Sequence, residues 1–168
     1  MKAIKLGLIL MSIFPFKNQA QEIESSAYKL LLKGMLSHSI EAISVPQAAN
    51  SENAIFVDSR EKEEFEVSHI KNAMWVGYDS LDLSRLENVD QDRQIIIYCS
   101  VGYRSEKVAE KLKVKGFTNL FNLYGGIFEW KNQGHPVYNT NQKETEQVHA
   151  YNKVWGVWLN KGEKVYSK

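Results

Sequence analysis

The sequence contains a single cysteine, Cys99, among 168 residues, which excludes a disulfide within the chain. The fold therefore depends on its apolar core, and a composition of 43% hydrophobic residues can supply one in a single globular domain with extensions. The four histidines are scattered without the spacing of metal ligands, so the sequence indicates no metal and no other cofactor. The lone thiol is then either a buried apolar residue or a group retained for its chemistry.

The chain also lacks a large excess of charge of either sign, with 21 basic and 20 acidic residues and a net charge of +1. A protein without a basic field is not expected to bind nucleic acid. Long apolar runs are absent too, because the run at 6–16 is too short to cross a bilayer and no later stretch is longer. We therefore expect no membrane contact once the N-terminal segment is removed.

Residues 1–20 have the pattern of an export signal. Lys2 and Lys5 precede the apolar run, and Ala20 is a small residue suited to cleavage. Cleavage there removes three lysines and no acid, which changes the net charge to −2. The alternative interpretation is a buried N-terminal helix. The signal predicts an exported protein, periplasmic or secreted, in a compartment where a free thiol is open to oxidation.

Apolar segments and helical patterns alternate along the rest of the chain. Strands are expected at 41–45, 54–57, 73–76, 95–98 and 120–123, and helices at 61–67, 80–86, 105–115 and 126–133. The central strands are near-continuous apolar runs, which is typical of a parallel sheet covered on both faces. We therefore predict an α/β fold with a mostly parallel, five-stranded central sheet and helices on both faces.

Two extensions flank this core. Residues 21–37 form the first, in which apolar residues at helical spacing predict an amphipathic helix over 23–36. Residues 139–168 form the second, which begins with a polar linker at 139–147. Tyr151, Trp155 and Trp158 then recur at helical spacing and predict a C-terminal aromatic amphipathic helix. That helix either packs on the core or offers a face to a protein partner.

Cys99 lies where the apolar strand at 95–98 ends and a short loop leads into a helix. Ligands bind beyond the carboxyl ends of strands in open α/β sheets. Inward-pointing loop amides, the N-terminal end of the helix and the charge of Arg104 all favour a thiolate over a thiol. Cys99 is therefore the predicted nucleophile. The loop residues predicted to bind substrate are Ser100, Val101, Gly102, Tyr103, Arg104 and Ser105.

The loop resembles the C-x-x-G-x-R-S pattern of the rhodanese, or sulfurtransferase, family. Two flanking segments extend the resemblance over residues 38–138. "VDSREKEEFEVSHIKNA", at 57–73, resembles the family's D-x-R-x-x-x-E-[FY]-x-x-G-H-I-x-x-A segment, with Ser68 where glycine is usual. "LYGGIFEWKNQGHPV", at 123–137, resembles its closing L-x-G-G-x-x-x-W-x-x-x-G-x-P-V segment.

This resemblance implies a rhodanese-like fold and a ping-pong reaction at Cys99. The thiolate would take the sulfane sulfur of a small donor such as thiosulfate, and the loop amides would hold the resulting persulfide. A thiol or cyanide would then accept the sulfur. Asp58 and Arg60 are interpreted as supporting residues that join adjacent loops by ion pairs, and His69 as a structural histidine.

Two other functions compete with this one. The domain could act as a persulfide carrier or binding module for a partner protein, since no second cysteine exists to discharge a persulfide. A phosphatase or arsenate reductase is the other alternative. The loop argues against it, because Arg104 is five positions after Cys99 and the tyrosine-phosphatase pattern has six.

Overall fold

The computed structural model describes residue 23 and residues 25–167, and the predicted export signal lies outside them. Its centre is a five-stranded sheet with the order β1-β5-β4-β2-β3, in which all the paired strands are parallel. The predicted α/β architecture and strand number are confirmed. The strands are β1 (Ala42–Ile43), β2 (Ile55–Asp58), β3 (Met74–Trp75), β4 (Ile95–Tyr98) and β5 (Leu120–Leu123).

Five α-helices and two 3₁₀ turns accompany the described strands. The helices are α1 (Ser26–Met35), α2 (Val45–Ala49), α3 (Lys62–Val67), α4 (Tyr103–Val114) and α5 (Gly126–Asn132), and the 3₁₀ turns are Leu83–Leu86 and Trp155–Trp158. Helix α4 begins two residues earlier than its apolar stripe predicted. Gly102 precedes it with a φ of 119°, a conformation that glycine adopts without strain, and the chain turns sharply from the strand into the helix.

Strand β4 is the centre of the sheet and contacts both layers. Ile95 and Ile97 pack in the apolar cluster that contains Val108 and Leu112 of α4. Ile96 and Tyr98 point to the opposite face and join the cluster formed with α1, α2 and α5. All four strand residues are buried, and each isoleucine contributes roughly 2 kcal/mol by leaving water. Burial on both faces explains the unbroken apolar run in the sequence.

The C-terminal segment differs from the prediction, because it forms no amphipathic helix. Strand β6 (Val137–Tyr138) pairs with β7 (Glu144–Thr145), so the predicted linker contains a hairpin strand. Strand β8 (Gln147–His149) then pairs in parallel with β9 (Glu163–Val165), and only the turn Trp155–Trp158 is helical between them. The Asn152 side chain accepts the N–H groups of Val154 and Trp155, which starts a tight turn in place of a long helix.

Both extensions pack against the domain and against each other. The rings of Tyr28 in α1 and Trp158 are stacked, with centroids 5.1 Å apart and an interplanar angle of 11°. The Tyr28 hydroxyl donates to the Gly125 carbonyl at 2.9 Å, which ties α1 to the start of α5. Val148 and Leu159 are fully buried in the same cluster. Within the described part of the chain, no helix has the length and apolar character needed to span a bilayer.

Replacing Trp158 with alanine should lower the free energy of unfolding by about 2 kcal/mol, because the partly buried ring loses its stacking on Tyr28. Urea unfolding followed by circular dichroism measures the change. Val157→Ala is the matched control, because Val157 lies in the same turn with 58% of its surface exposed. It should change stability by less than about 0.5 kcal/mol. Equal losses in the two variants would contradict this account of the packing.

Candidate active site

Cys99 lies immediately after β4, at the carboxyl edge of the sheet, and is only 1% exposed. The Gly102 amide donates to its sulfur, with the nitrogen 3.1 Å from Sγ. The Ser105 hydroxyl lies 3.5 Å from Sγ and 2.7 Å from Oδ1 of Asn122 in β5. One backbone amide of the loop thus donates to the sulfur, and the Ser105 hydroxyl lies beside it. The Gly102 amide, which directly precedes α4, therefore points at the sulfur.

The start of α5 supports the loop from behind. The Ile127 and Phe128 amides donate to the carbonyls of Cys99 and Ser100, at 2.9 and 3.2 Å. This close approach requires glycine at position 126, because a Cβ there would lie 2.6 Å from the Ser100 carbonyl oxygen and closer still to that of Cys99. Gly126 also has a φ of +58°, a conformation that favours glycine. The closing motif of the sequence therefore holds the cysteine loop in place.

Arg104 is bound on its own side of the loop by Glu64 of α3. Its two terminal nitrogens donate to the two carboxylate oxygens at 2.6 and 2.7 Å, and one of them also donates to the Ser100 hydroxyl at 3.0 Å. The Ser100 hydroxyl in turn donates to Glu64 at 3.1 Å. The Glu64 side chain is only 1% exposed and that of Arg104 is 14% exposed, so the carboxylate is withdrawn from water while the guanidinium also reaches the cavity. Arg104 therefore anchors the loop, and its charge is matched by Glu64.

The ion pair keeps both of its partners charged. Burial raises the pKa of Glu64, but the hydrogen bonds from Arg104 and the charge of Arg60 outweigh burial and hold the pKa below its ordinary value of 4.5. Burial lowers the pKa of Arg104, but the hydrogen bonds to Glu64 outweigh it, and the net effect is an increase. The sequence did not predict the ion pair between Glu64 and Arg104, although Glu64 lies within the first flanking motif.

Asp58 and Arg60 form a second buried ion pair at the end of β2, the strand beside β4, with a contact of 2.6 Å between Nη2 and Oδ2. Arg60 also donates to the Ser68 carbonyl at 2.6 Å, which connects the end of β2 with the segment after α3. His69 stacks on Phe65, and its Nδ1 lies 3.0 Å from the Phe65 carbonyl oxygen. These contacts are structural, and none of these residues lines the cavity above Cys99.

A cavity of about 580 Å³ opens above the sulfur. The cysteine loop forms its floor, and residues from distant parts of the chain form its walls. The lining residues are Leu31, Met35, Glu61, Tyr78, Asp79, Cys99, Ser100, Val101, Tyr103, Arg104, Tyr151 and Trp155. Among the predicted substrate-binding residues, Gly102 and Ser105 lie beneath this lining, beside the sulfur. Sequence reasoning missed the walls, since no local pattern reports which distant segments meet. The described residues contain no group of three or more side chains suited to a metal ion.

The comparison with known families agrees with the motifs around this site. The model of the rhodanese-like domain matches residues 42–133, which is more than half of the chain. The chain belongs to the rhodanese-like family. The resemblance stated from the three motifs is therefore confirmed.

Curated relatives of the rhodanese-like chain include the tRNA uridine(34) hydroxylase of Yersinia enterocolitica, which is 33% identical over 112 residues. The match covers 61% of this chain and 32% of that protein. A second relative of the same name, from Yersinia pestis, is 32% identical and is covered over 31% of its length. The chain thus spans about a third of the length of the curated relatives it matches.

Solved structures show the same fold. The rhodanese-like domain protein of Staphylococcus aureus is 26% identical, with a TM-score of 0.52 over 60% of this chain and 99% of that one. A crystal structure of a protein from Bacillus halodurans has a TM-score of 0.54 at 23% identity and covers 68% of this chain and 85% of that one. Both similarities support the central sheet and its helices.

The ion pair between Glu64 and Arg104 predicts a dependence of stability on acid. The pKa of Glu64 is lowered by folding, so the unfolded chain binds the proton more readily and the ion pair's contribution is lost as the pH falls below about 4.5. Glu64→Gln should lower the free energy of unfolding by about 3 kcal/mol at pH 7, and the difference from the parent should narrow on acidification. Urea unfolding at several pH values measures both effects.

Glu66→Gln is the matched control for this experiment. Glu66 lies in the same helix, is 53% exposed and faces Lys62 at 3.7 Å. Its replacement should leave the pH dependence of the parent protein intact, because an exposed ion pair contributes little. Parallel stability curves for Glu64→Gln and the parent would contradict the assigned role of the buried pair.

Proposed function

We propose that this chain transfers a sulfane sulfur through a persulfide on Cys99. The observation that carries the proposal is the position of Sγ, 3.1 Å from the Gly102 amide, at the floor of a cavity. The Gly102 amide is a backbone donor that is already oriented before substrate arrives, and such a donor favours an anionic sulfur. The rhodanese-like family assignment supports the same chemistry.

The reaction has two displacement steps. The Cys99 thiolate attacks the outer sulfur of a donor such as thiosulfate, the sulfur–sulfur bond breaks, and its electron pair leaves with sulfite. The persulfide anion then rests among the loop donors. An acceptor thiolate or cyanide attacks its terminal sulfur and restores the Cys99 thiolate. Neither displacement moves a proton when the acceptor arrives ionised, so the chemistry needs no general base.

The position of Arg104 counts against phosphate-ester hydrolysis. A phosphate site uses the guanidinium group to bind the oxygens of the substrate. Both terminal nitrogens of Arg104 instead donate to Glu64. The tight spacing between Cys99 and Arg104 supports sulfur as the transferred atom, since a single sulfur needs a narrower ring of amides than phosphate.

A persulfide carrier remains the nearest alternative within the same chemistry. The chain has no second cysteine that could discharge the persulfide, so an external thiol, either a small molecule or a partner protein, must accept it. Slow turnover with cyanide or small thiols, together with full loading of Cys99, would favour the carrier role. Tyr151 and Val154 on the C-terminal segment are exposed to solvent, and these apolar side chains support a partner surface there.

Modification of tRNA is the second candidate function. Its support is the 33% identity with a tRNA uridine(34) hydroxylase, which extends over 112 residues. The near-neutral charge of the chain gives little electrostatic attraction for RNA. Retarded migration of tRNA on a native gel at physiological salt would favour this function over sulfur transfer to a small acceptor.

We also propose that the protein is exported. The support is the sequence at 1–20, in which lysines precede an apolar run and Ala20 offers a cleavage position. Purification from the cell envelope or medium, with Gln21 as the first residue, would support export. Recovery of the protein with residues 1–20 intact in the cytoplasm would count against it.

Cys99→Ser should abolish thiocyanate formation from a sulfane-sulfur donor and cyanide, because the hydroxyl cannot form the persulfide. The rate should fall by at least about a thousandfold. In the parent protein, mass spectrometry after exposure to donor alone should find one added sulfur atom on the peptide that contains Cys99. Subsequent addition of cyanide should remove it.

Ser84→Ala is the control for this experiment, because Ser84 lies in the exposed turn at 83–86, and its replacement should leave the rate unchanged. Thiocyanate formation that survives Cys99→Ser would refute the assignment. A sulfur atom located on any other residue would do the same.

A further inference from the structure

The walls of the cavity above Cys99 come in part from the two extensions. Leu31 and Met35 project from α1, and Tyr151 and Trp155 from the C-terminal segment. All four lie outside the 42–133 segment that matches the rhodanese-like family. Four of the twelve lining residues therefore come from parts of this chain that the family match does not cover.

The C-terminal segment reaches the site through specific contacts. The ring of Tyr151 lies over the Arg104 guanidinium, with 5.1 Å between Cζ and the ring centroid. The stacking of Trp158 on Tyr28 holds the same segment against α1. Strand pairing of β8 with β9 fixes both ends of the segment that carries Tyr151 and Trp155. The apolar walls are thus positioned before a substrate arrives.

The charges around the cavity do not suit a small dianion. Arg104 is the cation of the described lining, and its terminal nitrogens are held by Glu64. Glu61 and Asp79 also line the cavity, and the Glu61 carboxylate accepts the Asp79 amide at 3.2 Å. Two carboxylates and a neutralised guanidinium repel thiosulfate, which carries two negative charges.

The volume of the cavity and its apolar walls suit a ligand that is larger and less polar than thiosulfate. A volume of about 580 Å³ is typical of sites for organic molecules and exceeds what thiosulfate can fill. Tyr78 and Tyr103 add two further aromatic side chains to the walls formed by the extensions. Burial of apolar surface against these walls favours a substrate with an aromatic or aliphatic group.

We propose that the donor of this site is an organic sulfur compound, in which the sulfane sulfur is attached to an aromatic or apolar body. The proposal rests on the proposed sulfur transfer at Cys99 and adds the chemical class of the donor. The sulfane sulfur reaches the Cys99 thiolate at the floor, while the body packs against wall residues that include Trp155 and Leu31.

Aryl thiosulfonates provide a probe with a balanced reaction. The Cys99 thiolate attacks the outer sulfur of benzenethiosulfonate, the sulfur–sulfur bond breaks, and its electron pair leaves with benzenesulfinate. The products are the Cys99 persulfide anion and the sulfinate anion, so charge and atoms balance. Cyanide then removes the sulfur as thiocyanate and regenerates the thiolate. Methanethiosulfonate undergoes the same steps with the same charge, but has only a methyl group to bury.

The test compares kcat/KM for the two thiosulfonates and for thiosulfate in the full chain, with thiocyanate as the product measured. Each value is divided by the rate of the same donor with free cysteine in solution, which removes differences in intrinsic reactivity. We expect the benzene donor to exceed the methane donor by about tenfold or more, with thiosulfate below both. Equal corrected values for the two thiosulfonates would overturn the proposal.

Trp155→Ala should lower the ratio of the benzene donor to the methane donor by about fivefold, because it removes one wall. Val157→Ala is the matched control, since Val157 lies in the same turn and does not line the cavity; it should keep the parent ratio. Leu31→Ala tests a second lining residue if Trp155→Ala does not fold. An unchanged ratio in the wall variants would contradict the assignment.

A binding measurement separates this proposal from the proposed function. Calorimetry with Cys99→Ser should detect benzenesulfinate binding about tenfold more tightly than methanesulfinate, although this variant cannot transfer sulfur. Selective binding without turnover of any donor by the parent protein would refute sulfur transfer and retain the apolar ligand class. Turnover without any preference in rate or binding would refute the ligand class and retain sulfur transfer.

Discussion

The buried ion pair between Glu64 and Arg104 is the constraint on which the site depends. It joins α3 to the loop that follows β4, and it holds the Ser100 hydroxyl in the same network. A loop of this kind must keep the Gly102 amide directed at Cys99 without help from a bound anion. The ion pair supplies that restraint on one side, and the α5 amides that bind the loop carbonyls supply it on the other.

Different parts of the fold position Cys99, support its loop and line the cavity above it. The sheet places Cys99 at the end of its central strand, and α4 directs its N-terminal end towards the sulfur. The Asp58–Arg60 pair connects the neighbouring strand to the segment after α3 without touching the cavity. The extensions then supply four of the residues that line the cavity. Cys99, the contacts that support it and part of the cavity wall therefore come from different segments of the chain.

The sequence predicted the central architecture well, because buried parallel strands leave unbroken apolar runs. Strands β4 and β5 agree with their predicted bounds, and the cysteine loop follows β4 as its spacing indicated. The C-terminal helix was predicted wrongly. Its aromatic residues recur at helical spacing, but Asn152 starts a turn, and the parallel pairing of β8 with β9 depends on contacts that no local pattern reports. The residues that line the cavity could not be predicted for the same reason, since α1 and the C-terminal segment are distant in sequence and come into contact only in the folded chain.

The position of Gly126 against the cysteine loop has a further consequence. Because even a methyl group cannot be placed there, a substitution at this position would displace the backbone that carries Cys99. The extensions contribute Leu31, Met35, Tyr151 and Trp155 to the opening, and none of these is a glycine in such close contact. The width of the opening can therefore change by substitution without moving the sulfur beneath it.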